Sequence, residues 1–194
     1  MILYISVIFV VATLTAVFNI IFTSTAWYVV LGIVAGATFF QFLIDGLFAL
    51  IVNNLPDNWF NMDKKCFQVS KKSQRFYEKL RIRNWKDKVW ELGRLGGFRK
   101  NKLNAPNSPE YVERFIIESN KGIVTHRVGY FVGFLVIFIF PFKYAFPIGV
   151  PVAITNLFLN ILPVMVLRYN VPKLTNLYKR LTRIQNSNEI KLEN

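Results

Sequence analysis

The chain has very little sulfur and imidazole chemistry to offer: one cysteine, Cys66, and one histidine, His126, in 194 residues. A single thiol cannot form an intramolecular disulfide, so cysteine usage leaves the redox compartment open. One His and one Cys are too few for an ordinary zinc site, and no metal is expected. Cys66 lies between Lys65 and Phe67 with no histidine near it in sequence, which favours an inert thiol over a nucleophile. Negative charge is also scarce, with 11 Asp and Glu against 24 Lys and Arg, a formal net charge of +13. No Gly-x-Ser-x-Gly elbow, Walker loop or dinucleotide fingerprint is present. The His-x4-Asp pattern of soluble-faced glycerolipid acyltransferases is missing as well, because Arg-Val-Gly-Tyr-Phe follows His126.

What is abundant is hydrocarbon. Hydrophobic residues make up 53% of the chain, 19 of them Phe, and mean hydropathy is +0.34. Such a composition suits a membrane protein better than a water-soluble globule. The positive charge must then be concentrated in the polar stretches, where it points to anionic headgroups or phosphate-bearing substrates. Nucleic acid is not an expected partner, since half the chain would be given over to lipid.

Residues 3–22 carry no charge and as a helix would span about 30 Å, one hydrocarbon core. Met1-Ile2-Leu3 lacks the basic flank of a signal peptide, so a retained helix is expected. After the uncharged turn Thr23-Ser24-Thr25, a second apolar run extends from Ala26 to Asn53. It carries Gln41 and Asp45, four apart and so on one helix face. A carboxylate there faces protein or water, as a substrate or proton contact or as an interhelical hydrogen-bond partner. Gly32, Gly36 and Gly46 are expected to permit close helix approach.

Residues 54–128 hold 17 Lys or Arg against 8 Asp or Glu. Positive loops stay in the cytoplasm, and the tail repeats the bias with Lys173, Lys179, Arg180 and Arg183. An even number of crossings then separates them, and both termini fall inside. Within this segment Phe76, Tyr77, Leu80, Val89 and Trp90 recur at roughly helical spacing between Ser73 and Leu92. The pattern fits either an interfacial helix or a small cytoplasmic subdomain packed on itself. Gly93-Arg94-Leu95-Gly96-Gly97 ends that helix without the spacing of a P-loop.

Ser108 as N-cap, Pro109 at the first position and Glu110 in the first turn predict a helix start. The helix runs through Tyr111, Phe115 and Glu118 towards Lys121, with Gly122 placed to bend or end it. A third apolar stretch follows, from about Ile123 to Phe142, and a last helix covers residues 146–167, ending at Arg168-Tyr169-Asn170-Val171-Pro172-Lys173. The expected fold is therefore an all-α integral membrane protein with about four transmembrane helices. Its parts are an N-terminal hairpin (1–53), a basic cytoplasmic or interfacial helical segment (54–122), a C-terminal hairpin (123–168) and a basic tail (169–194). The uncharged part of the third stretch is short, so the last pair either spans or re-enters.

If that last pair is an antiparallel hairpin turning near 143–147, residue 126 lies opposite about 165. Asn160 and Asn156 would then sit roughly 6–12 Å deeper. Glu118, His126, Tyr130, Asn156, Asn160 and Arg168 could line one pocket at the cytoplasmic leaflet. Histidine there can take a proton from a hydroxyl attacking an acyl carbonyl. Glu118 could orient it as a triad's third member does, if Gly122 bends the helix between them. The alternative is an interfacial histidine making one satisfied hydrogen bond.

From about Phe39 to Leu181 the chain resembles the small bacterial glycosyl-4,4′-diaponeurosporenoate acyltransferases. The resemblance is carried by Leu55-Pro56-Asp57-Asn58-Trp59-Phe60, by Arg83-Asn84-Trp85-Lys86-Asp87-Lys88, by Ile116-Ile117-Glu118 with His126 eight later, and by Asn160 eight before Arg168-Tyr169-Asn170, with Pro172 and Leu174 after it. It implies a multi-pass O-acyltransferase of the bacterial cell membrane that esterifies the sugar of a glycosylated carotenoid acid. His126 would be the base and Glu118 its partner. Among the residues that carry the resemblance, Arg83, Trp85, Asn160, Arg168, Tyr169 and Asn170 would contact substrate, and the residues picked out by helix spacing, Asp45, Tyr130 and Asn156, are expected to join them. No cofactor is implied beyond an activated acyl donor such as acyl-CoA as co-substrate, and the partners are the bilayer and a glycolipid acceptor. A reading from a different class is a non-enzymatic scaffold that binds anionic lipid or a partner protein through the basic segment.

Overall fold

The structure, a computed structural model, describes residues 2–89 and 103–192. Among these residues every regular element is helical. The main helices are α1 (Ile2–Phe22), α2 (Trp27–Asn53), α3 (Lys71–Lys79), α4 (Ile82–Trp85), α5 (Pro109–Val132), α6 (Val136–Ile139), α7 (Phe142–Tyr144) and α8 (Val150–Leu192). Four helical stretches are long and apolar enough to cross a membrane: Tyr4–Phe22, Trp27–Asn53, Pro109–Ile139 and Phe142–Asn188. The chain is an all-α membrane protein, as its apolar runs predict. Phe9, Phe18, Ile21 and Phe22 on α1 point outward and are exposed, a surface that only lipid can cover well.

The helices group into two compact units, one of Met1–Asn54 with Val124–Pro163 and one of Leu55–Ile123 with Val164–Asn194. The core of the first consists of Ala16, Val30, Val34, Ala37, Val136, Tyr144, Ile148, Val152 and Ala153. Valine and alanine make up seven of its nine residues, and in lipid close packing rather than hydrophobic exclusion draws helices together. Gly36 contributes, lying against the Phe140 ring. Gly32 and Gly46 do not: among the described residues nothing lies within 4 Å of where their Cβ would be. Between α7 and α8 a π-helical turn, Ala145–Gly149, contains Pro147. Its carbonyl accepts from Asn19 Nδ2 at 3.0 Å, so a buried asparagine of α1 satisfies backbone that the irregular turn would leave open.

The core of the second unit joins Val112, Phe115 and Ile116 of α5 to Leu174 of α8, with Ile123, Leu167 and Val171 as a neighbouring cluster. This packing explains two departures from the expected boundaries. Helix α5 continues through Gly122 because Ser119, Asn120, Lys121 and Ile123 around it are all buried. Helix α8 continues past Arg168 and through Pro172 to Leu192, held by Val171 and Leu174 on the core side. Ser108 does cap α5, accepting the Tyr111 N–H at 3.2 Å.

The stretch beginning at Ser73 is not one helix. It breaks after α3, where Arg81 adopts a left-handed φ of 50°. The break turns Ile82 fully inward; Tyr77 and Val89 are buried as well, while Phe76 stays exposed. Trp85 Nε1 donates to the Leu80 carbonyl at 3.0 Å, satisfying a group freed by the break. Trp90, Leu92 and the segment Gly93 to Gly97 lie outside the described residues.

A left-handed residue with a Cβ costs about 1–2 kcal/mol. Arg81→Gly should therefore leave stability unchanged or raise it by about 1 kcal/mol, and Arg81→Val should lower it. Thermal unfolding in detergent micelles measures both, and a destabilised glycine variant would show that the turn does not set the cost.

Candidate functional site

Within the first unit, three helices bring polar side chains to one place. Helix α2 contributes Gln41 and Asp45, α8 contributes Asn156 and Asn160, and α5 contributes His126. Each pair is spaced four apart, so a single helix turn presents both members on one face. His126 Nδ1 lies 2.8 Å from Asn160 Oδ1. Asn160 Nδ2 donates to Asn156 Oδ1 at 2.9 Å, to the Asn156 carbonyl at 3.1 Å and, more weakly, to Asp45 Oδ2 at 3.4 Å. Gln41 Nε2 donates to Asp45 Oδ1 at 3.3 Å.

These bonds set the chemistry of the histidine. Every group around Asn160 Nδ2 is an acceptor, so the amide has its N–H side towards Asp45 and Asn156 and its oxygen towards His126. The neutral imidazole must then donate from Nδ1, which leaves the lone pair on Nε2. A ring held in that tautomer can accept a proton from a hydroxyl. The Asp45 carboxylate sits at the far end of the same chain of donors, Asp45 to Asn160 to His126. Inside a membrane span a carboxylate is costly unless donors meet it, and two amides do so here.

The approach of α8 to α5 depends on two glycines. A Cβ on Gly129 would lie 2.9 Å from Asn160 Cγ and Oδ1, and one on Gly133 would overlap the Asn156 amide nitrogen. Asn156 Nδ2 in turn donates to the Gly129 carbonyl at 3.2 Å. Gly129 and Gly133 stand four apart in the run Gly-Tyr-Phe-Val-Gly, the small-residue spacing of close helix pairs. That spacing is legible in the sequence, where the glycines of α2 carry the expectation of close helix approach instead.

Of the residues expected to act together, Asp45, His126, Asn156 and Asn160 meet. Asn160 bonds directly to His126, about a helical turn from the deeper level the hairpin estimate predicts. Tyr130 is half-buried in the same unit, one turn along α5 from His126. Glu118, Arg83, Trp85, Arg168, Tyr169 and Asn170 belong to the second unit. There Glu118 is half-buried and Arg83 exposed. Arg168 donates to the carbonyls of Cys66 and Gln68, both at 3.3 Å, and Lys173 Nζ lies over the Tyr169 ring at 3.7 Å from its centroid.

The second unit also holds an ion pair that sequence spacing does not announce. Lys121, with only 8% of its side chain exposed, meets Asp57 at 2.6 Å and lies 5.7 Å from the Phe60 ring centroid. Asn120 Nδ2 donates to the Phe60 carbonyl at 2.8 Å. The Pro-Asp-Asn-Trp-Phe run at 56–60 is thereby fastened to α5.

A family model described as glycosyl-4,4′-diaponeurosporenoate acyltransferase matches residues 56–180. That interval contains His126, Asn156 and Asn160, whereas Gln41, Asp45 and all of α1 precede it. No curated protein and no solved structure matches the chain.

Gly133→Ala should push the Asn156 amide off its bond to Gly129 and destabilise the protein by about 1–3 kcal/mol, the usual cost of overpacking. Thermal unfolding in detergent checks the stability. Unchanged unfolding would mean that α8 does not need this approach.

Proposed function

Because the chain belongs to the glycosyl-4,4′-diaponeurosporenoate acyltransferase family, we propose that it esterifies a fatty acyl group onto a sugar hydroxyl of a membrane glycolipid, with His126 as general base. The observation that supports the base is the bond from His126 to Asn160 at 2.8 Å, with Asp45 behind the amide. The family is one of acyltransferases, and four apolar helices give the chain a lipid environment.

In this reading Nε2 of His126 takes the proton of the sugar hydroxyl as its oxygen attacks the carbonyl carbon of an acyl thioester, such as acyl-CoA. The tetrahedral intermediate collapses, the C–S bond breaks and the departing thiolate takes the proton from His126. One ester forms for one thioester consumed, and the imidazole returns to its starting state. Asn160 holds the ring in the Nδ1–H tautomer, and Asp45 holds Asn160, a division of labour like that behind a triad histidine. Glu118 receives no role in this mechanism.

The acceptor implied by the family is the sugar of a glycosylated carotenoid acid. Its polyene would remain in lipid while the sugar enters from the aqueous side. The basic segment 54–128 offers cations to the phosphates of a nucleotide-bearing donor. Its charge also argues for a cytoplasmic placement in the bacterial cell membrane, with both termini inside.

Mass spectrometry of membrane glycolipids tests the reaction in cells supplied with the carotenoid glucoside. Wild-type protein should produce a glycolipid heavier by one ester-linked acyl chain. His126→Ala should reduce turnover about 10²-fold or more. Asn160→Ala and Asp45→Asn should each lower kcat about 10-fold with little change in KM, because they position the base rather than bind substrate. Wild-type product levels from a folded His126→Ala protein would remove the base. Absence of any acylated glycolipid would favour a scaffold that binds anionic lipid through its basic segment.

A further inference from the structure

The first unit is nearly free of charge. Across Met1–Asn54 and Val124–Pro163 the only side chains with a formal charge are Asp45, Arg127 and Lys143. Two of them have evident partners. Asp45 accepts from Gln41 on one oxygen and from Asn160 on the other. Lys143 lies in α7, with its Nζ 4.6 Å from the Tyr144 ring centroid.

Arg127 has no such partner. It is half-buried on α5, immediately after His126, and among the described residues it makes no ion pair and no side-chain hydrogen bond. Asp45, the one carboxylate of the unit, is met by amides instead. A guanidinium in a spanning helix is costly to desolvate without a counter-charge, and ionisable residues so placed commonly serve an ion or a substrate.

Acyl transfer at His126 creates a negative charge close by. As the sugar oxygen attacks, the π pair of the acyl carbonyl moves onto its oxygen. The amides around the base are already committed: Gln41, Asn156 and Asn160 donate to Asp45, to the Gly129 carbonyl and to Asn156 Oδ1. The Asp45 carboxylate would repel a second negative oxygen. Consecutive helix residues project about 100° apart, so Arg127 stands on the flank of the His126 face, outside the amide cluster. A guanidinium there brings positive charge and several N–H donors, and it keeps its protons throughout.

We propose that Arg127 is the oxyanion donor of the acyl transfer. The assignment rests on the acyl-transfer reading above. The Arg127 N–H groups hydrogen-bond the negative oxygen of the tetrahedral intermediate. On collapse the electron pair returns to the carbonyl, the C–S bond breaks and the guanidinium is left unchanged. Neighbouring residues of one helix thus divide the step, His126 taking the proton and Arg127 meeting the charge.

Kinetics of the full-length protein in lipid nanodiscs, with palmitoyl-CoA and the carotenoid glucoside, test this role. Arg127→Ala should lower kcat about 10²-fold with little change in either KM, the pattern of a contact made only in the transition state. Added guanidinium chloride should restore turnover to Arg127→Ala but not to His126→Ala, a result that misfolding cannot imitate. Arg127→Lys, which keeps the charge, should lose less of kcat than the alanine variant. A raised KM with kcat retained would overturn the assignment, as would wild-type kinetics in a variant that merely unfolds more readily once anionic lipid is omitted. A binding measurement separates the donor from the reaction. Methyl hexadecylphosphonate, with an anionic tetrahedral phosphorus, should bind wild type about tenfold or more tightly than Arg127→Ala, whereas neutral methyl palmitate should bind both alike. Phosphonate selectivity without detectable transfer by wild type would keep Arg127 as an anion donor and reject the reaction. Equal phosphonate affinity in an active wild type and in Arg127→Ala would reject the donor and keep the reaction.

Discussion

A side-chain amide inside a membrane span has donors and acceptors to satisfy and no water to turn to. Asn160 meets that demand completely, with Asn156 and Asp45 on its nitrogen and His126 on its oxygen. Most of the organisation of the first unit follows from it. Asp45 can be tolerated within α2 because Asn160 and Gln41 supply it with donors. Gly129 and Gly133 are needed because Asn160 and Asn156 occupy the space their Cβ atoms would fill. The histidine tautomer follows from the amide's orientation, because turning the amide over would set its oxygen against the oxygens of Asp45 and Asn156. In hydrocarbon a half-satisfied network is worse than none, so such a cluster tends to be complete.

The second unit is organised by a different balance. Among the described residues its charged side chains are mostly exposed or half-buried, and Lys121 is the buried one. That ammonium is buried beside Asp57 and over Phe60, and a buried cation is tolerated only where a counter-charge stands close. The loop after α2 is held by this pair and by the Asn120 amide. The loop is thus specified by two neighbouring residues of one helix, each using a different kind of bond.

Much of this was legible in the sequence, and the gaps have physical causes. Apolar runs longer than a bilayer core announce spanning helices whatever their neighbours, so the all-α membrane fold was readable. The pairs Gln41/Asp45 and Asn156/Asn160 were readable because helical periodicity puts residues four apart on one face. Which faces meet was not, since tertiary register decides it. The hairpin estimate accordingly placed Asn160 below His126 rather than beside it. Helix ends were misread where packing outweighs local propensity. Gly122 and Pro172 are poor helix residues, but both lie among buried neighbours that keep α5 and α8 continuous. Arg81 misled in the opposite sense, because a good helix former was pressed into a left-handed turn to bury Ile82.

The pairing of Asp57 with Lys121 also bears on how the protein is made. Asp57 follows α2 by four residues, and Lys121 comes just before the apolar half of α5. The hairpin of α1 and α2 is synthesised first, and its exit loop remains unfastened until residue 121 has left the ribosome. The loop after α2 therefore gains its buried counter-charge only once the first half of α5 has been made.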